Sequence, residues 1–342
     1  MAHLTRDEIL KSGEVNLEYQ KVFASRPIDT TPRSAEWSDL RAARSEPLAQ
    51  LRQHYIIPGP IPSQVKETMH SIPTRDGATI RVKVYQPVPS AVEIPKAGSP
   101  VVVMFHEGGW CVGDLSDEDL NCRLFARELG CVCVNVEYRL APEHPFPTGL
   151  NDCWDALEWT ISASASLAAS PTQGLIVGGS SAGGNIAAAL ALLSRDRNLQ
   201  PPITGQYLSV PALITGKNVP AHLKTRFTSI YSSSNDPILK PESMDYVLPI
   251  WQPDLESPLA VPHCHPDGHK GVAKAFFQVC GLDPLRDDAV LYDIKLREAG
   301  VLTRFELYAG LGHMFWSNWP EMKEAKAFVE DTVKGVRWLL EK

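Results

Sequence analysis

The chain has 342 residues, 44% hydrophobic and 21% charged, a globular composition that excludes a disordered or fibrous protein. Lys plus Arg number 33 against 40 Asp plus Glu, a net charge of −7 with no basic run, which argues against a nucleic-acid partner. Seven cysteines without a C-x-x-C pair suggest neither a disulfide framework nor a zinc ribbon, and point to a reducing, cytoplasmic setting. The N-terminus carries charges where a secretory leader needs an apolar core. No membrane span is expected either, because Pro171, Gln173 and five glycines interrupt the uncharged run from Trp159 to Ser194.

Residues 4 to about 55 read as helices. Thr5-x-x-Glu8 is a capping box ahead of Ile9 and Leu10, and Trp37, Leu40, Leu48 and Leu51 form an apolar stripe on a later helix. The run from Ile57 through Pro58-Gly-Pro-Ile-Pro then breaks regular structure. Residues 67–72 and 78–85 alternate as strands around the turn Arg75-Asp-Gly. Short, mostly apolar runs follow at 101–105, 132–136, 175–177, 207–210, 276–279 and 305–308, separated by helix-like stretches. Such alternation means a mostly parallel sheet, here of about eight strands, with helices on both faces. Between Pro211 and Pro258 there is no strand pattern, only Pro, Ser and aromatic residues. The expected layout is cap helices in 1–60, a core in 61–211 and 258–342, and a cap insertion at 212–257.

The strongest chemical signal is Gly178-Gly-Ser-Ser-Ala-Gly-Gly-Asn185, which contains Gly179-x-Ser181-x-Gly183 between a strand and a helix. That context suits a nucleophile elbow, a sharp turn that lifts the serine hydroxyl clear of the sheet. Glycine is expected at 179 and 183 because side chains there would collide. A phosphate loop is excluded, since no Gly-Lys-Ser/Thr follows at the required offset. A hydroxyl needs a base, and the base needs an acid to hold its tautomer. Asp283 follows the strand at 276–279, and His313 follows the strand at 305–308, so both fall on the serine's edge of the sheet. Asp287 and Asp288 compete as the acid but begin the next helix, where negative charge suits the dipole. Donors for a developing oxyanion are expected from the backbone of Ala182 and from Gly108 and Gly109 in the loop after 101–105.

Together, His106-Glu-Gly-Gly-Trp110, Tyr138-Arg-Leu-Ala-Pro-Glu-His-Pro-Phe-Pro147, the elbow, Asp283-Pro-Leu-Arg-Asp and Gly312-His313 resemble the hormone-sensitive-lipase-like branch of the α/β-hydrolase esterases, most of all its intracellular fungal carboxylesterases. The resemblance implies an α/β-hydrolase fold with a helical cap. It implies Ser181, Asp283 and His313 as catalytic triad and Gly108, Gly109 and Ala182 as oxyanion hole. Two positions depart from the pattern: Glu107 replaces the first glycine of His-Gly-Gly-Gly, and Ser180 replaces the Asp of Gly-Asp-Ser-Ala-Gly.

The expected chemistry is hydrolysis of a short- to medium-acyl ester, with no cofactor, and the branch suggests a secondary metabolite as substrate. Trp110, Phe227, Tyr231, Tyr246 and Trp251 are the candidate pocket residues. His263, His265, Asp267 and His269 invite a metal reading, but the segment reads as a surface loop and no metal is expected. A homodimer is compatible with the chain. The same branch also holds cyclases, dehydratases and a plant hormone receptor that has lost the catalytic histidine; an acyltransferase would need an acceptor alcohol. Retention of His313 weighs against a receptor, and Ser181 leans towards hydrolysis.

Overall fold

A computed structural model describes residues 4–28, 36–214, 219–233 and 235–341. Eight strands form one sheet: β1 (Val65–Pro73), β2 (Thr79–Pro87), β3 (Val101–Phe105), β4 (Val132–Glu137), β5 (Leu175–Ser180), β6 (Gly205–Ser209), β7 (Lys274–Cys280) and β8 (Thr303–Tyr308). Their spatial order is β1-β2-β4-β3-β5-β6-β7-β8. β1 and β2 form an antiparallel hairpin closed by the Thr74–Gly77 turn, and β2 runs antiparallel to β4. Every later pairing is parallel.

The mostly apolar runs become these parallel strands because both faces of the sheet are covered at its centre, while the edge strand β8 is half-buried. Side chains alternate along β3, so Val101, Val103 and Phe105 enter one core with the helices Thr148–Ser162 and Ala182–Asp196. Val102 and Met104 enter the opposite core with the helices Asp119–Leu129 and Lys323–Leu340. Each crossover returns the chain to the same end of the sheet. The C-terminal ends of β3, β5, β7 and β8 therefore share one edge, and the next residues of each lead to Gly108, Ser181, Asp283 and His313.

The N-terminal segment holds the helices Arg6–Lys11, Leu17–Ser25 and Trp37–Arg52. The expected capping box is present: Glu8 N–H donates to the Thr5 hydroxyl at 3.3 Å, and Thr5 N–H donates to the Glu8 carboxylate at 2.7 Å. The stripe of Trp37, Leu40, Leu48 and Leu51 is only half-buried. Residues 219–257 carry the helices Ser229–Ser232 and Pro241–Trp251 and, among the described residues, no strand. No helix among the described residues is long and apolar enough to cross a membrane. All seven cysteines are free thiols, six of them buried.

Candidate active site

Ser181 sits between the last residue of β5 and the first of the helix Ala182–Asp196, with φ 54° and ψ −114°. A positive φ at a non-glycine residue is strained, and here the hydrogen bond from Ser181 N–H to the Ser209 carbonyl, 2.9 Å, helps to hold it. A Cβ on Gly183 would lie 1.9 Å from the Phe105 carbonyl oxygen, and one on Gly179 would lie 2.2 Å from the same atom. Glycine is thus required mainly by the end of β3 pressing on the elbow. The mutual collision expected from the sequence is the lesser contact, 2.7 Å from the Gly179 Cβ to the Gly183 carbonyl carbon.

Ser181 Oγ lies 3.1 Å from His313 Nε2, and His313 Nδ1 lies 2.7 Å from Asp283 Oδ2. The second oxygen of Asp283 accepts the Leu285 N–H at 2.8 Å. With Nδ1–H donating to the carboxylate, Nε2 is free to accept the serine proton. All three side chains are buried. Burial opposes the imidazolium, but Asp283, helped by Asp236 and Glu107, outweighs it and raises the pKa of His313 above its ordinary value. Asp287 and Asp288 do begin the helix Arg286–Glu298, yet their carboxylates serve elsewhere. Asp287 accepts the N–H groups of Thr228 and Ser229 at 2.6 and 2.8 Å, and Asp288 accepts those of Leu213 and Ile214, both at 2.9 Å.

Gly108 adopts φ 115°, and a Cβ there would stand 2.1 Å from the Val112 carbonyl oxygen. That carbonyl comes close because Cys111 and Val112 both donate to the Gly108 oxygen, closing a tight turn. His106 anchors the loop by stacking on Tyr138 at 4.1 Å, and the Tyr138 hydroxyl donates to the His106 carbonyl at 2.9 Å. Among the described residues no acceptor takes the N–H of Gly108 or Gly109. Ala182 opens its helix, where an amide has no intrahelical partner. Glu107 turns from the glycines to Arg44, 3.0 Å away. Burial pushes its carboxyl up to about 7, with Asp117 adding to the shift and Arg44 opposing it. Ser180 is buried against the Glu118 carboxyl, so both departures from the family pattern border one buried cluster of charge.

A family profile described as alpha/beta hydrolase fold matches residues 102–317. The chain belongs to the α/β-hydrolase family, in its hormone-sensitive-lipase-like esterase branch. An AB hydrolase superfamily protein of Schizosaccharomyces pombe is 36% identical over 96% of this chain and 95% of its own length. Versiconal hemiacetal acetate esterase of Dothistroma septosporum is 34% identical over 70% of this chain and 74% of its own. Among solved structures, vibralactone cyclase superposes with a TM-score of 0.90 at 30% identity, covering 99% of this chain and 98% of that one.

Of the five candidate pocket residues of this hydrolase, Trp110 and Trp251 come together as a parallel stack with centroids 3.6 Å apart, and Phe146 meets Trp251 edge-on. Phe227 is buried in the main core. Tyr231 is 75% exposed, and Tyr246, 47% exposed, lays its ring on Trp37; neither is enclosed with the tryptophans. The histidine segment is not the surface loop expected: His263, His265 and His269 are all buried. His265 hydrogen-bonds Asp196 at 2.8 Å and His269 the Pro262 carbonyl at 2.9 Å, while burial pushes His263 and His269 down to about 3 and 4. Among the described residues no group of three such side chains could hold a metal ion.

Sequence reading does not single out Asp236, which accepts the His313 backbone N–H, nor Arg44, which holds Glu107. Neither belongs to a motif. The one signal for Arg44 is its place with Arg41, three residues apart and so on one face of the helix Trp37–Arg52.

Proposed function

We propose that the protein is a serine carboxylesterase acting on a short- to medium-acyl ester through an acyl-enzyme. The observation that carries this reading is the chain of contacts from Ser181 through His313 to Asp283, 3.1 and 2.7 Å, at a strained elbow beside two free glycine amides. His313 takes the Ser181 proton as the oxygen attacks the ester carbonyl, and Asp283 steadies the imidazolium that forms. The amides of Gly108, Gly109 and Ala182 receive the negative charge of the tetrahedral intermediate. His313 then protonates the departing alcohol and activates a water that releases the acid. Turnover rises with pH as His313 loses its proton, with the midpoint above the ordinary histidine value of about 6.5.

Residues 1–60 and 212–257 act in this reading as one cap over the core formed by 61–211 and 258–342. What supports it is the stack of Trp37 on Tyr246, centroids 6.1 Å apart, and the approach of Val247 to Gly109. The Trp110–Trp251 pair suits an apolar substrate, and the likeness to an acetate esterase favours a small acyl group on a secondary metabolite. The substrate is a small molecule, the protein works without a cofactor in the cytoplasm, and a homodimer is compatible with this function.

The likeness to vibralactone cyclase favours one second reading, a cyclisation in which an internal nucleophile replaces water. One experiment separates the two. Wild-type protein should take a serine-directed phosphonate and hydrolyse p-nitrophenyl esters, and Ser181→Ala should lose turnover by about 10⁴-fold or more. Labelling without hydrolysis would favour the cyclase, and full turnover by Ser181→Ala would remove both readings.

A further inference from the structure

We propose that Asp236 is a positioning residue for His313, a second carboxylate that sets the catalytic imidazole in place from the segment between β6 and β7. The proposal rests on the esterase reading above. Asp236 is fully buried, and its Oδ2 accepts the His313 backbone N–H at 2.5 Å across 77 residues of chain. Its Oδ1 accepts the N–H groups of Ile238 and Leu239 at 2.8 and 2.9 Å. One oxygen is thus fixed by its own turn, and that fixes the direction of the other. A Cβ on Gly312 would lie 2.7 Å from Oδ2, so only a glycine before His313 leaves the carboxylate room to reach the backbone.

His313 is therefore flanked by two carboxylates from different parts of the chain, Asp283 on its ring and Asp236 on its backbone. Asp283 is fixed to the core. Asp236 belongs to a segment that also presses Val247 towards Gly109 and Trp251 onto Trp110. Seating that segment brings a contact to the base and contacts to the oxyanion loop at the same time. The groups facing Asp236 are Asp283, His313, the Tyr19 hydroxyl and the Cys280 thiol, and the charge of Glu107 also acts on His313. Burial, and then the charge of Asp283, push the Asp236 carboxyl up to about 7. In its charged form it favours the imidazolium, so loss of the charge moves the titration of His313 to lower pH.

Asp236→Asn keeps the size and one carbonyl oxygen but removes the charge and turns an amide donor towards the His313 N–H. On p-nitrophenyl acetate we expect kcat to fall about tenfold or more with KM within about twofold, and the acid limb of the pH profile to move to lower pH. A folded variant with wild-type kcat and acid limb would overturn the proposal. So would a lower kcat with an unmoved acid limb, because a role confined to folding leaves the titration of His313 alone. If Asp236→Asn does not fold, Asp236→Ser, which retains a hydroxyl acceptor for residues 238 and 239, is judged by the same two measurements. Wild-type protein that neither hydrolyses the ester nor takes a phosphonate refutes the esterase reading itself, an outcome distinct from these.

Discussion

The loop carrying Gly108 and Gly109 and the loop carrying His313 both lean on N-terminal helices, but through different forces. The first is gripped by guanidinium groups from the helix Trp37–Arg52. Arg41 donates to the carbonyls of Cys111 and Ala141, both at 2.9 Å, and Arg44 bridges Glu107 and Asp117, both at 3.0 Å. The second is held by backbone and apolar packing. Gly310 N–H donates to the Ser12 carbonyl at 2.7 Å, Asn16 N–H donates to the Gly310 carbonyl at 3.0 Å, and the buried rings of Tyr19, Phe315 and Trp319 meet edge to face. Charged ties respond to pH, and to salt in so far as their guanidinium groups reach water, whereas apolar packing responds to neither. On its N-terminal side the His313 loop is thus held by contacts that carry no charge, while the loop of Gly108 and Gly109 hangs on guanidinium groups.

The largest effect should come from breaking the dry side. Gly310 has φ 71°, and a Cβ there would stand 2.5 Å from the Asn16 nitrogen and 2.6 Å from the Glu14 carbonyl oxygen. Both atoms are backbone, so Gly310→Ala must push the N-terminal segment off the histidine loop, besides straining a left-handed residue by about 1–2 kcal/mol. A displaced base is costly, and kcat should fall about 10²-fold, equally at low and high salt. Steady-state kinetics at two ionic strengths would check this, and a loss that salt deepens would blur the contrast between the loops.

How much of this arrangement is legible in the sequence depends on distance along the chain. β5, its elbow and the helix after it are legible because strand, glycine turn and helix are contiguous. Asp283 and His313 are legible because each directly follows an apolar strand, and parallel topology then places them on one edge. Arg44 and Asp236 are not, because their partners lie 63 and 77 residues away and nothing local marks a charged side chain for burial. The same blindness runs the other way. Tyr231 has the look of a pocket wall and stands in solvent, while His263 and its neighbours have the look of a surface loop and are packed inside.

On the charged side, Arg44→Met should have a smaller effect. It leaves Glu107 buried without its cation, although Asp117 keeps Arg52. Removing one partner of a fully buried pair costs about 3–5 kcal/mol; Arg44 keeps 21% of its side chain in solvent, so about 2 kcal/mol is expected. Without Arg44 the Glu107 carboxyl should hold its proton to still higher pH. We expect kcat to fall about tenfold, with partial recovery in Arg44→Lys, by thermal melting and initial rates. Unchanged kcat would mean that the grip on Glu107 does not reach the glycine amides.

The smallest and sharpest effect should be that of Glu107→Gln on stability. Glu107 titrates at about 7 in the folded protein against an unperturbed value of 4.5, raised by burial and by Asp117. Between those two values the folded chain keeps a proton that the unfolded chain has lost, so the stability contributed by this group falls as pH rises through the window. Gln removes the titration but retains an acceptor for Arg44, which still pairs with Asp117. The variant should therefore lose less stability than the wild type between pH 5 and pH 8, by about 1–3 kcal/mol in denaturant titrations at the two pH values. Part of the slope will remain, because burial also raises Glu118, Asp236 and Asp288. Identical slopes in both proteins would mean that Glu107 stays ionised throughout, and the grip of Arg44 on it would then not vary with pH in this window.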